Sequence, residues 1–349
     1  MDLPERAIPL PALSEADDAA LHDLYVRGTP ANTLRAYERD LIYLAAWKEA
    51  AFAAPLAWPE AEAVALRFVL DHARDLAEVP PDDPGRRTAE ALIAAGLRRS
   101  LACPAPSTLD RRIASWRAFH RMRNLASPFE APALRQARAK ARRAAARPPA
   151  PKSAKPITRD VLEAMLATCG AGIAGTRDRA LLLLAWASGG RRRAELAALT
   201  RADISLDDFA AKRLLWLHLP QTKTTAPGRT PPLVLKGRAA TAVVAWIEAA
   251  EITDGPLFRP LSKTGRPLPR KLSPAGIACI VKSRLEAAGL PPGFASPHGL
   301  RSGFLTQAAL DGAPLPAAMR LSLHRSAAQA QRYYADVELP TNPATDLLD

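Results

Sequence analysis

The sequence predicts a mainly α-helical protein of two domains, the second carrying a small antiparallel β-sheet. Three observations lead there. The 349 residues exceed what one domain ordinarily needs. Ala, Leu and Arg dominate while aromatic residues make up only 5%, a composition that favours helix. Apolar residues recur at helical spacing almost throughout, and short strand-like runs cluster only between residues 204 and 235.

A helical N-terminal domain is expected over residues 14–130. Thr33, Leu34, Ala36, Tyr37, Leu41, Leu44 and Trp47 recur on one helix face, with Arg35, Arg39 and Asp40 opposite. Residues 59–76 carry a second helical pattern, ended by the Pro- and Asp-rich turn at 80–84, and residues 86–101 a third. A fourth spans 107–123, with Ser107 placed to cap it and Ile113, Trp116 and Phe119 pointing inward. Residues 131–156 read as an interdomain linker. Between 131 and 155 stand eight Lys or Arg residues and no acid, and an Ala-rich helical start dissolves at Pro148, Pro149 and Pro151. The second domain is expected over 157–335, with helices at 158–169, 176–188, 237–250, 274–288, 297–310 and 317–334. Strands are expected at 204–206, 214–219 and 232–235, with residues 221–230 turning between the last two. Residues 336–349 form a tail with Asp336, Glu338, Asp346 and Asp349 and no base.

Charge narrows the function. A net +13 attracts a polyanion, and double-stranded nucleic acid is the natural partner. Arg135, Arg138, Lys140, Arg142, Arg143 and Arg147 of the linker then read as a strap across DNA phosphates. No run of about 18 uncharged apolar residues crosses a membrane. The N-terminus has no apolar leader. The expected location is the cytoplasm, at the nucleoid. Cys103, Cys169 and Cys279 are far apart and form no C-x-x-C pair, so neither a disulfide framework nor a zinc site is expected. No cofactor is expected.

Four short segments of the second domain carry the chemistry. Gly190-Arg191-Arg192-Arg193-Ala194-Glu195-Leu196 puts Glu195 three residues after Arg192, close enough on a helix to brace it. Lys223 lies on the turn between the last two strands. His298 and Arg301 are three apart at a helix start, where the dipole favours a phosphate. His324 precedes Tyr333 by nine residues. Any one of these segments in isolation reads as surface or packing. Together they supply what attack on a phosphodiester needs without a two-metal carboxylate cluster. Two arginines can hold the nonbridging oxygens of the transition state. A phenol ordinarily titrates near 10, so a tyrosine nucleophile must be activated by positive charge or a base. A lysine can protonate the leaving 5′ oxygen.

In this order and spacing (G-x-R-x-x-E-L, a hairpin Lys, H-x-x-R, then His nine residues before Tyr) the chain resembles the tyrosine recombinase, or phage integrase, superfamily over residues 15–335. The Thr33…Tyr37…Asp40-Leu41…Trp47 pattern resembles the first long helix of its core-binding domain. The resemblance implies the tyrosine recombinase fold and a site-specific recombinase acting without metal or ATP. Tyr333 would be the nucleophile of a 3′-phosphotyrosyl link, and Arg192 and Arg301 the phosphate clamp. Glu195 would position the basic groups, Lys223 would protonate the leaving 5′ hydroxyl, His298 would assist proton transfer, and His324 would bond a nonbridging oxygen. It further implies a homo-tetramer on paired DNA sites, the two domains of each protomer forming a C-shaped clamp around the duplex. The biological role would be integration of a mobile element, or Xer-like. A type IB topoisomerase shares the chemistry, and a catalytically silent DNA-binding protein is the non-enzymatic alternative. One departure is Leu323, where the family usually has Gly before the second His. Leu347 and Leu348 of the tail are either an anchor for docking on a neighbouring protomer or part of a disordered end.

Overall fold

Thr29 and Pro30 separate α1 (Glu15–Gly28) from α2 (Ala31–Phe52), which carries the first apolar repeat. The computed structural model describes residues 15–146, 152–219 and 230–338. Within them the chain divides into two compact units, described over residues 15–146 and 152–338.

The first unit continues with α3 (Glu62–Ala73), α4 (Pro84–Ala94), α5 (Pro106–Met122) and α6 (Pro132–Ala144). Asp83 caps α4, accepting from the backbone of Gly85 at 2.7 Å and Arg86 at 3.2 Å. Helix α5 starts one residue before the expected cap Ser107, because the fixed φ of Pro106 suits a first helical position. Trp47, Phe68 and Trp116 pack edge to face at the centre, with ring centroids 4.9 Å (Trp47–Phe68) and 5.4 Å (Phe68–Trp116) apart. Leu44, Ile113, Phe129 and Leu134 complete this core.

Two expectations need correction here. Asp40, assigned to the solvent face of α2, is 2% exposed and accepts hydrogen bonds from Arg111 Nη1 and from Ser115 Oγ (2.7 Å) on α5. The basic stretch assigned to a linker folds through Ala144 as α6, which buries Leu134 and Ala141 in the same core; two apolar contacts one heptad apart suffice to dock it.

The second unit is built around α8 (Ile173–Ala187), which follows α7 (Arg159–Ala167). Residues 180–185 of α8 are all buried, as expected of a helix apolar on every side. Next come α9 (Arg193–Ala198), β1 (Ile204–Ser205), the short α10 (Phe209–Lys212), β2 (Leu214–Leu217) and β3 (Leu233–Lys236). The strands form an antiparallel sheet in the order β1-β2-β3, with Ile204 opposite Leu217 and Leu215 opposite Leu235. Burial alternates along β2 and β3, so one face covers the core. Helices α11 (Gly237–Ala249), α12 (Pro274–Ala287) and α13 (Gly299–Leu310) follow.

The spacing predicts one helix over 317–334, and the structure has two: α14 (Leu315–Ser322) and α15 (Ala327–Glu338). Leu323 ends α14 in the left-handed conformation, φ 53° and ψ 40°. Among the described residues no helix is long and apolar enough to cross a membrane.

Candidate active site

The site is assembled where three chain breaks converge: the start of α9, the start of α13 and the gap between α14 and α15. After α8 the backbone turns through Gly189 (φ +91°) and Gly190 (φ +71°). A Cβ on Gly189 would collide with the Leu321 carbonyl, and one on Gly190 with Arg301 Cα. The two glycines therefore let this turn lie directly against α13 and the end of α14.

Arg192, extended, precedes the first residue of α9. Its Nη1 donates to Glu195 Oε1 at 2.7 Å, and its backbone N–H donates to Glu195 Oε2 at 3.2 Å. Glu195 thereby satisfies one orphan donor of the helix start and fixes the guanidinium at once. Arg192 keeps about a third of its side chain exposed (34%), so it can meet a ligand. Arg301, one turn into α13, is 3% exposed. It donates from Nη1 to the Gly190 carbonyl at 3.3 Å, and its Nε and Nη2 lie 3.1–3.3 Å from the ring nitrogens of His324. Burial, reinforced by the positive charges of Arg191 and Arg192, lowers its pKa to about 10.

His298 stands immediately before α13, its backbone N–H on Ser296 Oγ at 3.2 Å. Its Nε2 is 3.3 Å from Tyr333 Oη. Burial, then the charges of Lys152, Arg301 and Arg192, lower its pKa to about 4. His324 follows the left-handed Leu323 and shares a hydrogen bond of 2.8 Å between Nδ1 and Ser322 Oγ. Burial and the charge of Arg301 lower its pKa to about 3. Both imidazoles are therefore neutral at pH 7, and His298 Nε2 is a base within reach of a phenol proton.

The two adjacent tyrosines of α15 part company. Tyr333 is half-buried beside both imidazoles, its ring 6.3 Å from that of His324. Tyr334 is 3% exposed, packs with Phe304, Leu305 and Ala318, and donates to the Ala313 carbonyl at 3.0 Å.

Six sequence-expected groups thus converge: Arg192, Glu195, His298, Arg301, His324 and Tyr333. Lys223 lies outside the described residues, as do Arg147 and the tail leucines Leu347 and Leu348. The other strap residues sit on α6 in the first unit. Arg138 and Arg142 pair with Asp110, and Arg135 with Glu130, while Lys140 and Arg143 are exposed. Two cations at the site escaped the sequence. The backbone carbonyl of Lys152 accepts from Ser296 Oγ at 2.9 Å, and its charge acts on His298; only its place in the basic stretch marked it. Arg191 is 2% exposed beneath the site, whereas a triple arginine suggests a solvated face.

Two guanidiniums beside two neutral imidazoles and a phenol are the groups that can receive one tetrahedral anion. Residues 155–338 match the phage integrase family. Among curated proteins the chain is similar to an integrase/recombinase xerD homolog of Selenomonas ruminantium, 29% identical over 167 residues, which cover 46% of this chain and 48% of the relative. It is also similar to the tyrosine recombinase XerD of Xanthomonas axonopodis pv. citri (strain 306), 32% identical over 193 residues, or 51% of this chain and 57% of that one. The chain spans about half the length of the curated relatives it matches. Its fold is similar to that of the Tn1549 transposon integrase solved with transposon right end DNA, with a TM-score of 0.52 and 16% identity over 91% of this chain and 94% of that one. A lambda integrase dimer bound to a COC' core site gives 0.51 and 16%, over 91% and 75%.

Proposed function

The chain belongs to the phage integrase family, and from that premise we propose that it is a site-specific DNA recombinase working through a 3′-phosphotyrosyl intermediate. The observation that carries this is the contact of Tyr333 Oη with a neutral His298 Nε2, at 3.3 Å, beside the Arg192 and Arg301 guanidiniums. Tyr333 Oη attacks the scissile phosphorus and its proton passes to His298 Nε2. The P–O5′ bond breaks, and the 5′ oxygen takes a proton, a role we give to Lys223. Arg192 and Arg301 hold the nonbridging oxygens, and His324 hydrogen-bonds one of them once the phosphate takes over the Arg301 guanidinium that now donates to its ring. The 5′ hydroxyl of a partner strand then attacks the phosphotyrosine and the P–O bond to Tyr333 breaks, so the bond energy is conserved and ATP is not consumed. Phosphate arrival adds negative charge beside both imidazoles and raises their basicity, which favours the proton transfer.

Duplex recognition falls in part to the first unit, where a groove of about 950 Å³ is lined by Arg39, Arg98, Arg99, Arg111 and Arg112. Such a surface suits phosphates, and its affinity should fall steeply with salt. Recombining two duplexes calls for a homo-tetramer on paired sites. Integration of a mobile element or Xer-like recombination is the biological role that follows.

The test is capture of covalent adducts in cells: denature with strong detergent and sequence the DNA that remains on the protein. Wild type and Tyr334→Phe should retain DNA at discrete positions and Tyr333→Phe none. Loss of adduct in all three chains, with duplex binding intact at low salt, would overturn the enzymatic assignment in favour of DNA binding alone.

A further inference from the structure

We propose that Arg191 is a positioning residue, which locks the turn carrying His324 onto the Arg192–Glu195 platform and so sets the geometry of the phosphate clamp. The proposal rests on the recombinase function above. Arg191 does not face the pocket. It is among the largest fully buried side chains of the chain, and burial lowers its pKa to about 10.

Its fork spans two elements that the backbone does not join. Nη2 donates to the Leu321 carbonyl at 2.7 Å, near the C-terminal end of α14, where helix carbonyls lack intrahelical partners. Nη1 lies 3.7 Å from Glu195 Oε2, so one carboxylate is shared between Arg191 and the clamp residue Arg192. The backbone N–H of Arg191 is itself fixed on the Ala185 carbonyl at 2.8 Å, anchoring the side chain to the end of α8. Two residues beyond Leu321 the chain turns left-handed at Leu323 and presents His324 to Arg301.

Nε and Nη1 of Arg191 find no hydrogen-bond partner among the described residues. A buried charge so incompletely bonded is costly to stability, and an apolar side chain of similar volume would cost less. Such a cost is consistent with a geometric role. Lysine carries its donors on one atom at the end of a flexible stem and lacks the planar fork that sets the Leu321 carbonyl apart from the Glu195 carboxylate, so arginine suits the role better.

The experiment uses the full chain and a suicide duplex built on the sequence that wild type captures in cells. Arg191→Met and Arg191→Lys should lower the single-turnover rate of adduct formation on the order of a hundredfold, the usual cost of a misplaced catalytic constellation. Duplex Kd should stay within about twofold, since the side chain is out of reach of DNA. Combined with His324→Ala, Arg191→Lys should add little: the double variant should cut about as slowly as the slower single one, because both remove the same arrangement. Adduct rates near wild type, fully additive losses, or loss of folding in both variants by circular dichroism would overturn the proposal. The His324 ring resonance separates this failure from that of the enzyme assignment. A wild type that forms no adduct refutes the recombinase, while a His324 signal unmoved in a folded Arg191→Met refutes the positioning.

Discussion

Replacing Leu323 by Gly and by Ala separates backbone conformation from side-chain packing at the turn that presents His324. Leu323 is left-handed, which costs a non-glycine residue about 1–2 kcal/mol. Its side chain offsets this by packing, half-buried, against the core of the second unit. Half the burial value of a leucine is worth about 1 kcal/mol. Leu323→Gly removes both terms and adds about 0.4–1 kcal/mol of unfolded-state entropy, so the stability should hardly change. Leu323→Ala keeps the conformational cost and loses the packing, and should be destabilised by about 1 kcal/mol relative to both. For a unit the size of residues 150–349 that is about 2–4 °C in Tm. The assay is thermal unfolding of the three full-length chains, following the transition of the second unit. Alanine as stable as glycine at this position would refute the left-handed assignment. Adduct formation should follow a different order: Gly frees the turn and should cut more slowly than wild type despite equal stability, because the Ser322–His324 contact is then held less firmly.

Other outcomes follow from the same geometry. Gly190→Ala puts a Cβ onto Arg301 Cα at a backbone φ of +71°, so it should cost more than about 2 kcal/mol in urea unfolding; a loss below half of that would contradict the close approach. In the DNA-free chain the His298 ring should titrate near 4 by NMR, and Lys152→Ala should move its midpoint upward; a midpoint near 6.5 in wild type would refute the depression by burial and neighbouring charge. His72 in the first unit is buried, bonds Tyr43 Oη at 2.7 Å, and has its pKa lowered to about 3, chiefly by burial. Its folded pKa lies below the unfolded value of 6.5, so below pH 6.5 the unfolded chain binds a proton that the folded one refuses. Stability should therefore fall as pH drops from 6.5 towards 3, by about 1 kcal/mol between pH 6 and 5 from this group. His72→Gln should flatten that dependence, and an unchanged slope would count against the buried neutral ring.

What was legible in the sequence was local. Arg192 with Glu195 and His298 with Arg301 act across single helical turns, and a spacing of three residues already encodes them. What was not legible depends on residues far away in the chain. Asp40 carries a charge on the face opposite the apolar stripe, and only Arg111 and Ser115, some seventy residues on, make its burial tolerable. The basic run of α6 passes for a linker because composition hides two buried positions, Leu134 and Ala141, among exposed arginines. Nothing between 317 and 334 carries a helix-breaking Gly or Pro, yet α14 ends at Ser322. There the carbonyl of Leu321 is taken by Arg191 and covered by Gly189, so tertiary contact overrides propensity.

In the proposed phosphotyrosyl reaction, the charge balance of the site would favour the transition state over the bound substrate. Arg191 and Arg192 share one carboxylate, Glu195, Arg301 stands beside them and both imidazoles are neutral, so positive charge exceeds negative charge among these described residues, and Lys152 adds to the excess. The lowered pKa values of Arg191 and Arg301 record the cost, which arises first from burial and then from mutual repulsion. The phosphodiester of that reaction would bring one negative charge and relieve part of the excess. In that reaction the pentacoordinate transition state would place a second negative charge on the nonbridging oxygens and relieve more of it. Groups held in place before the reaction, and matched only when the extra charge develops, lower the barrier without binding the ground state equally well. Glu195 is therefore best placed as it stands, bonded to Arg192 and Arg191 and 7% exposed: a carboxylate facing the phosphate instead would have repelled the charge that the arginines are there to receive.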